Sequence, residues 1–118
     1  MFFLGPTEKD LKSIIVDNLK YPIFPEERIR NFSSLEIVVA STKFLSCAIA
    51  NDSGISQILS TNLCPLIKIC GPTMGKKFIN DSYLNIDYIS SQHFGGENVN
   101  LIPTKAVIKK IETVLTKN

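Results

Sequence analysis

The feature that most constrains the fold is a run in the middle of the chain: Ala50-Asn51-Asp52-Ser53-Gly54-Ile55-Ser56-Gln57, then Pro65 to Ile69, then Gly71-Pro72-Thr73. It reads as a strand ending in an acid and a small turn, a short helix, and a second strand ending in a Gly-Pro loop. Strand, helix and strand in that order form a parallel crossover unit, which requires a layered α/β architecture. Both strands end in polar, glycine-containing loops. Such loops share one rim of a parallel sheet, where open α/β sheets take their ligands.

The flanking sequence supplies the other layers. Phe2 to Leu4 reads as the tail of a buried strand, and Gly5-Pro6-Thr7 as a turn into a helix capped by Thr7, with Leu11, Ile14, Ile15 and Leu19 on one face. Tyr21 to Arg30 carries two prolines and no clean period, so it is a connection with room for a short strand. Ser33 and Glu36 have capping-box spacing, predicting a helix with Leu35, Val38 and Val39 on one face. Phe44 to Ile49 is the best buried strand in this region. Ile55, Ile58, Leu59 and Leu63 have helical spacing, and Pro65 ends that helix before Leu66-Ile67-Lys68-Ile69 resumes an extended chain. Tyr83 to Ile89 suits another strand and Ser90 to Asn100 a loop. Pro103 suits the first turn of a last helix with Val107, Ile108, Ile111, Val114 and Leu115 on one face. The expectation is one α/β domain over residues 1–118 with about four mostly parallel strands and helices on both faces.

Composition narrows the function. The 118 residues suffice for one cored domain and are too few for two domains around a cleft. Thirteen basic and 11 acidic residues are scattered without a basic stripe interleaved with aromatics, so nucleic-acid binding has no support. Cys47, Cys64 and Cys70 lie in apolar surroundings without CxxC spacing, which fits buried reduced thiols rather than disulfides or zinc ligands. Met1-Phe2-Phe3-Leu4 breaks at Gly5-Pro6, shorter than a signal h-region or a membrane span, so a cytoplasmic protein without a transmembrane segment is expected.

At the rim, a helix starting near Ser53-Gly54 would present free amide groups and a partial positive charge of roughly half a unit. Gly54 would permit close approach of a phosphate and Ser53 would add a hydroxyl donor. Asp52 would face sugar hydroxyls, since a carboxylate beside a phosphate is repulsive. The alternative is that Asp52 or Ser53 only caps the helix and that Gly71-Pro72-Thr73 is only a tight turn. Lys76 and Lys77 could attract an anion but more often such a pair is a solvated tip, and Glu8 in a first helical turn is already favoured by the dipole. His93 has no partners at metal-ligand spacing, and neither a Walker motif nor GxGxxG is present.

Taken together, Gly5-Pro6-Thr7-Glu8, the segment from Ser34 to Gly54 with its signature Asn51-Asp52-Ser53-Gly54, and the run from Pro65 to Thr73 resemble the C-terminal domain of glycosyltransferase family nine, the lipopolysaccharide heptosyltransferases. The similarity runs from the start to about Thr73, with a weaker echo in the final helix. It implies a three-layer Rossmann-like domain, the donor-binding half of a GT-B enzyme that transfers a sugar from a nucleotide diphosphate with inversion in cell-envelope polysaccharide or lipopolysaccharide biosynthesis. By this resemblance Asp52 contacts the donor sugar, Ser53 and the Gly54 amide the diphosphate, and Glu8 the ribose hydroxyls. Gln57, Gly71 and Thr73 complete the donor-binding set. No metal or other cofactor is implied.

The chain departs from the family at two motif positions. Gln57 stands where the signature usually has histidine, and Met74-Gly75-Lys76-Lys77 replaces the usual Asp-Pro. Relative to the family, the N-terminal acceptor domain and the first strand of the donor domain are missing, and the catalytic base is unassigned. A homodimer or a partner chain completing the sheet is therefore expected, since native proteins cover open sheet edges. A noncatalytic nucleotide-binding or protein-interaction module derived from the same fold is the alternative.

Overall fold

The computed structural model describes residues 1–51, 54–60, 64–71 and 86–116. They fall into two compact units, Met1–Ser41 and Thr42–Asn118.

In the first unit a single 3-10 turn at Pro6–Glu8 precedes helices α1 (Leu11–Asn18), α2 (Pro25–Arg28) and α3 (Ser34–Ser41). Phe2 to Leu4 forms no strand. The Phe2 amide instead donates to the Ile23 carbonyl at 2.8 Å, and the Phe2 and Phe24 rings meet at 5.8 Å, so the segment is held to the loop before α2. Lys12 ties α1 to α2 through an ion pair with Glu27 and lies 5.4 Å from the centre of the Phe24 ring. Thr7 lies inside the 3-10 turn and α1 starts after Asp10, which makes no side-chain cap. The Ser33 hydroxyl accepts from the Glu36 amide at 3.2 Å, the expected cap of α3. α3 is rotated from its expected face, however. It buries Ile37, Val38 and Ser41, whereas Leu35 and Val39 are exposed. Leu11, Ile14 and Val16 of α1 also remain exposed, as does Leu19 just after it, while Ile15 is half-buried.

The second unit is built on strands β1 (Ala48–Asn51), β2 (Leu66–Cys70) and β3 (Ile86–Ser90), all parallel and adjacent in chain order. Helix α4 (Gly54–Ser60) connects β1 to β2, and α5 (Thr104–Thr116) follows β3. Three strands are present among the described residues where about four were expected, because Phe2–Leu4 does not join the sheet. β1 also starts later than Phe44. A 3-10 turn at Thr42–Phe44, closed by the Leu45 amide on the Thr42 carbonyl, takes up the beginning of that apolar run and leaves Phe44 exposed.

Register and the two-residue period of a strand sort the side chains onto two faces. Ile49, Asn51, Ile67, Ile69, Asp87 and Ile89 share one; Ala48, Ala50, Leu66, Lys68, Cys70, Ile86, Tyr88 and Ser90 share the other. α5 covers the first face over β2 and β3: Val114 is buried with Ile67 and Ile89, and Val107 and Ile111 pack against them. Residues 107, 111 and 114 recur at i, i+4 and i+7, the spacing of one helical stripe. Ile108 and Leu115, placed on that face by the sequence pattern, flank it and stay exposed. A Lys110–Asp87 ion pair at 3.8 Å joins the helix edge to β3.

α5 does not extend over β1, where Ile49 is 44% exposed. Ala48, on the other face, is buried. Helix α4 packs on β1 and β2 and buries Ser56 and Leu59. The second unit is thus α/β, a three-stranded parallel sheet with helices packed on it, compatible with a Rossmann-like fold. No helix among the described residues is long and apolar enough to cross a membrane.

Candidate functional site

Because all three strands are parallel, their carboxyl ends open on one edge. β1 ends at Asn51, β2 at Cys70 followed by Gly71, and β3 at Ser90 followed by Ser91. Asn51 is in register with Ile69, and Cys70 with Ser90, so the three ends are nearly level.

Of the sequence-derived site residues, Asp52, Ser53 and Thr73 lie outside the described residues. Gly54 is the first residue of α4 and Gln57 lies within that helix, so both follow the end of β1 in the second unit. Gly71 leaves β2 at the same edge. A β-carbon there would come within 3.1 Å of the Glu97 carbonyl and 3.2 Å of Val99 Cγ1. The missing side chain therefore lets the turn at Val99–Leu101 close against the end of β2. Glu8 belongs to the first unit, where its carboxylate accepts from the Gly5 amide at 3.0 Å while its own amide donates to the Gly5 carbonyl at 3.0 Å. These reciprocal bonds tie off the Gly5-Pro6-Thr7-Glu8 turn.

Beyond β3 the edge continues as two 3-10 turns, Ser91–Phe94 and Val99–Leu101, where the sequence suggested an irregular loop. The Ser90 hydroxyl accepts from the Gln92 amide at 3.2 Å, and Gly95 turns the chain with φ of 100°, a left-handed conformation suited to glycine. His93 is exposed, and no group of three or more potential metal ligands occurs among the described residues.

The sequence reading missed the polar row under this edge. Lys68, in the middle of the central strand, is 5% exposed, and its ammonium lies 5.9 Å from the centre of the Tyr88 ring on β3. Ser56 of α4 is fully buried, as are Ser90 and Ser91, and the Ser91 hydroxyl has no hydrogen-bond partner among the described residues. The signal was one charge in an otherwise apolar strand, Leu66-Ile67-Lys68-Ile69-Cys70, which period-2 alternation alone assigns to a solvent face.

Two of the three cysteines stand away from this edge. Cys47 and Cys64 precede β1 and β2 at the opposite end of the sheet, whereas Cys70 ends β2, and none of the three forms a disulfide among the described residues. Burial pushes both the Cys47 and Cys64 thiols up in pKa, and for Cys47 the charges of Cys64 and Asp87 add to the rise. Such thiols stay protonated and unreactive at neutral pH.

The arrangement is a parallel-sheet edge with glycine-led turns and a buried cation beneath it, suited to holding a polar, anionic small molecule. No protein-family model matches the chain, and no curated protein or solved structure does either.

Proposed function

We propose that the chain is a nucleotide-sugar-binding domain, the donor half of a heptosyltransferase-like glycosyltransferase of cell-envelope polysaccharide or lipopolysaccharide assembly. The observation that carries this reading is the adjacency of β1 and β2. The two segments that resemble the donor site, Asn51–Gly54 and Gly71–Thr73, begin at the carboxyl ends of two neighbouring parallel strands. Ligands of open α/β sheets bind outside such ends. In this reading Asp52 takes sugar hydroxyls, while Ser53 and the Gly54 amide take the diphosphate. A protein-interaction module that keeps only the fold is favoured by one observation, the packing of the Val99–Leu101 turn on Gly71.

The test is calorimetric titration of the full chain with ADP-, UDP-, GDP- and CMP-sugars, with Asp52→Ala as control. Selective binding to one nucleotide class, abolished in the variant, is expected. If no nucleotide sugar binds, the donor-site reading is refuted and the interaction reading stands.

A further inference from the structure

We infer that Lys68 is a ligand-binding residue of the carboxyl edge, the cation that neutralises the diphosphate of the bound nucleotide sugar; the identity of that ligand rests on the function proposed above. A parallel strand covered on both faces normally reads as a continuous apolar run. β2 does so except at Lys68, which is 5% exposed in the central strand. Burying an ammonium carries a large desolvation penalty, so the groups around Lys68 must offset it within the protein.

Polar residues lie on the face of Lys68 and beyond it at the edge. Tyr88 is its register partner on β3, with the ring 5.9 Å from the ammonium, and Ser90 is the next residue outward on the same face. Ser91 follows, fully buried, its hydroxyl unpartnered among the described residues. α4 adds the buried Ser56 against β1 and β2. Lys68 lies two residues before the end of β2, about 6 to 7 Å below the edge at the rise of a parallel strand. Its four-carbon stem is long enough to carry the ammonium over that depth.

Among the described sheet residues Lys68 is the cationic side chain, and Gln57 on α4 is uncharged. Lys68, Tyr88 and Ser56 also engage other groups of the chain, so a ligand exchanges one set of partners for another. A compact ammonium suits this role, since it acts as a point charge on phosphate without needing a bidentate geometry.

The experiment compares wild-type chain, Lys68→Met and Lys68→Gln in calorimetric titrations with inorganic pyrophosphate and with the four nucleotide-sugar classes, folding being checked by circular dichroism. The expected result is a 10- to 100-fold loss of affinity for both probes in either variant. Nucleotide-sugar binding unchanged in the variants overturns the role of Lys68 and leaves the donor-site reading intact. Pyrophosphate binding that depends on Lys68, without any nucleotide-sugar binding, upholds the anion site and removes that reading; binding of neither probe overturns both. Should both variants fail to fold, the Lys68 side-chain carbon-13 resonance of the wild type decides. It shifts on addition of pyrophosphate if Lys68 meets the anion, and an unmoved resonance overturns the inference.

Discussion

Ile49 and Ile67 are register partners on the same face of the sheet, yet α5 shields only one of them. Ile67 is 0% exposed and Ile49 44%. Isoleucine to alanine removes three carbons, so at roughly 0.8 kcal/mol per buried group Ile67→Ala loses about 2.4 kcal/mol of transfer free energy. The cavity closed in by Ile89, Val114, Val107 and Ile111 adds about 1 kcal/mol, for a total of roughly 3 to 4 kcal/mol. Ile49→Ala loses only part of the transfer term and leaves no sealed cavity, because water enters; its cost is about 1 kcal/mol. In urea unfolding followed by circular dichroism, with a slope of roughly 1 to 1.5 kcal/mol/M, the two midpoints should differ by about 1.3 to 3 M. Should Ile67→Ala leave too little folded protein, the pair Ile67→Val and Ile49→Val repeats the comparison, with a cost near 1 kcal/mol for the buried position. Equal costs at the two positions would refute the claim that α5 covers β2 and β3 but not β1.

Gly71→Ala should cost about 1 to 3 kcal/mol in denaturant unfolding, because its β-carbon meets the Glu97 carbonyl and Val99; a neutral result would mean the Val99–Leu101 turn yields freely. Gly95→Ala meets no atoms within 4 Å but is held at φ of 100°, so about 1 to 2 kcal/mol of backbone strain is expected there, and a neutral result would deny that geometry. The raised Cys47 and Cys64 pKa values make the folded state the stronger proton binder above the ordinary thiol value of 9.0. Their contribution is complete below that pH and is lost as pH climbs through the folded values. Melting temperature followed from pH 8 upward should therefore fall less steeply in a Cys47→Ala, Cys64→Ala double variant than in the wild type, and parallel curves would refute the shift. The Asp87–Lys110 pair, about one-third exposed, should show a coupling below roughly 1 kcal/mol in a double-mutant cycle, vanishing in high salt.

Local chemistry was enough to read the elements that depend on it. The strand-helix-strand order from Ala48 to Cys70 and the last helix after Pro103 follow from apolar periodicity, glycine and proline placement, and those elements occur where expected. The cap of α3 at Ser33 was legible for the same reason, since its hydrogen bond spans only three residues. Which side of α3 is buried was not, because Ile37, Val38 and Ser41 are selected by packing and not by spacing. Phe2 to Leu4 is as apolar as a strand, but a strand needs a neighbour to share its hydrogen bonds, and the Phe2 amide bonds to Ile23 instead. The same division runs through the site. Sequence marked the glycine-bearing strand ends, whereas only the register of three parallel strands and the packing of α4 reveal that Lys68 is buried beside Tyr88 and below Ser90 and Ser91. A residue's own chemistry and near neighbours decide strand, helix and cap; burial and face depend on surfaces brought together from distant parts of the chain.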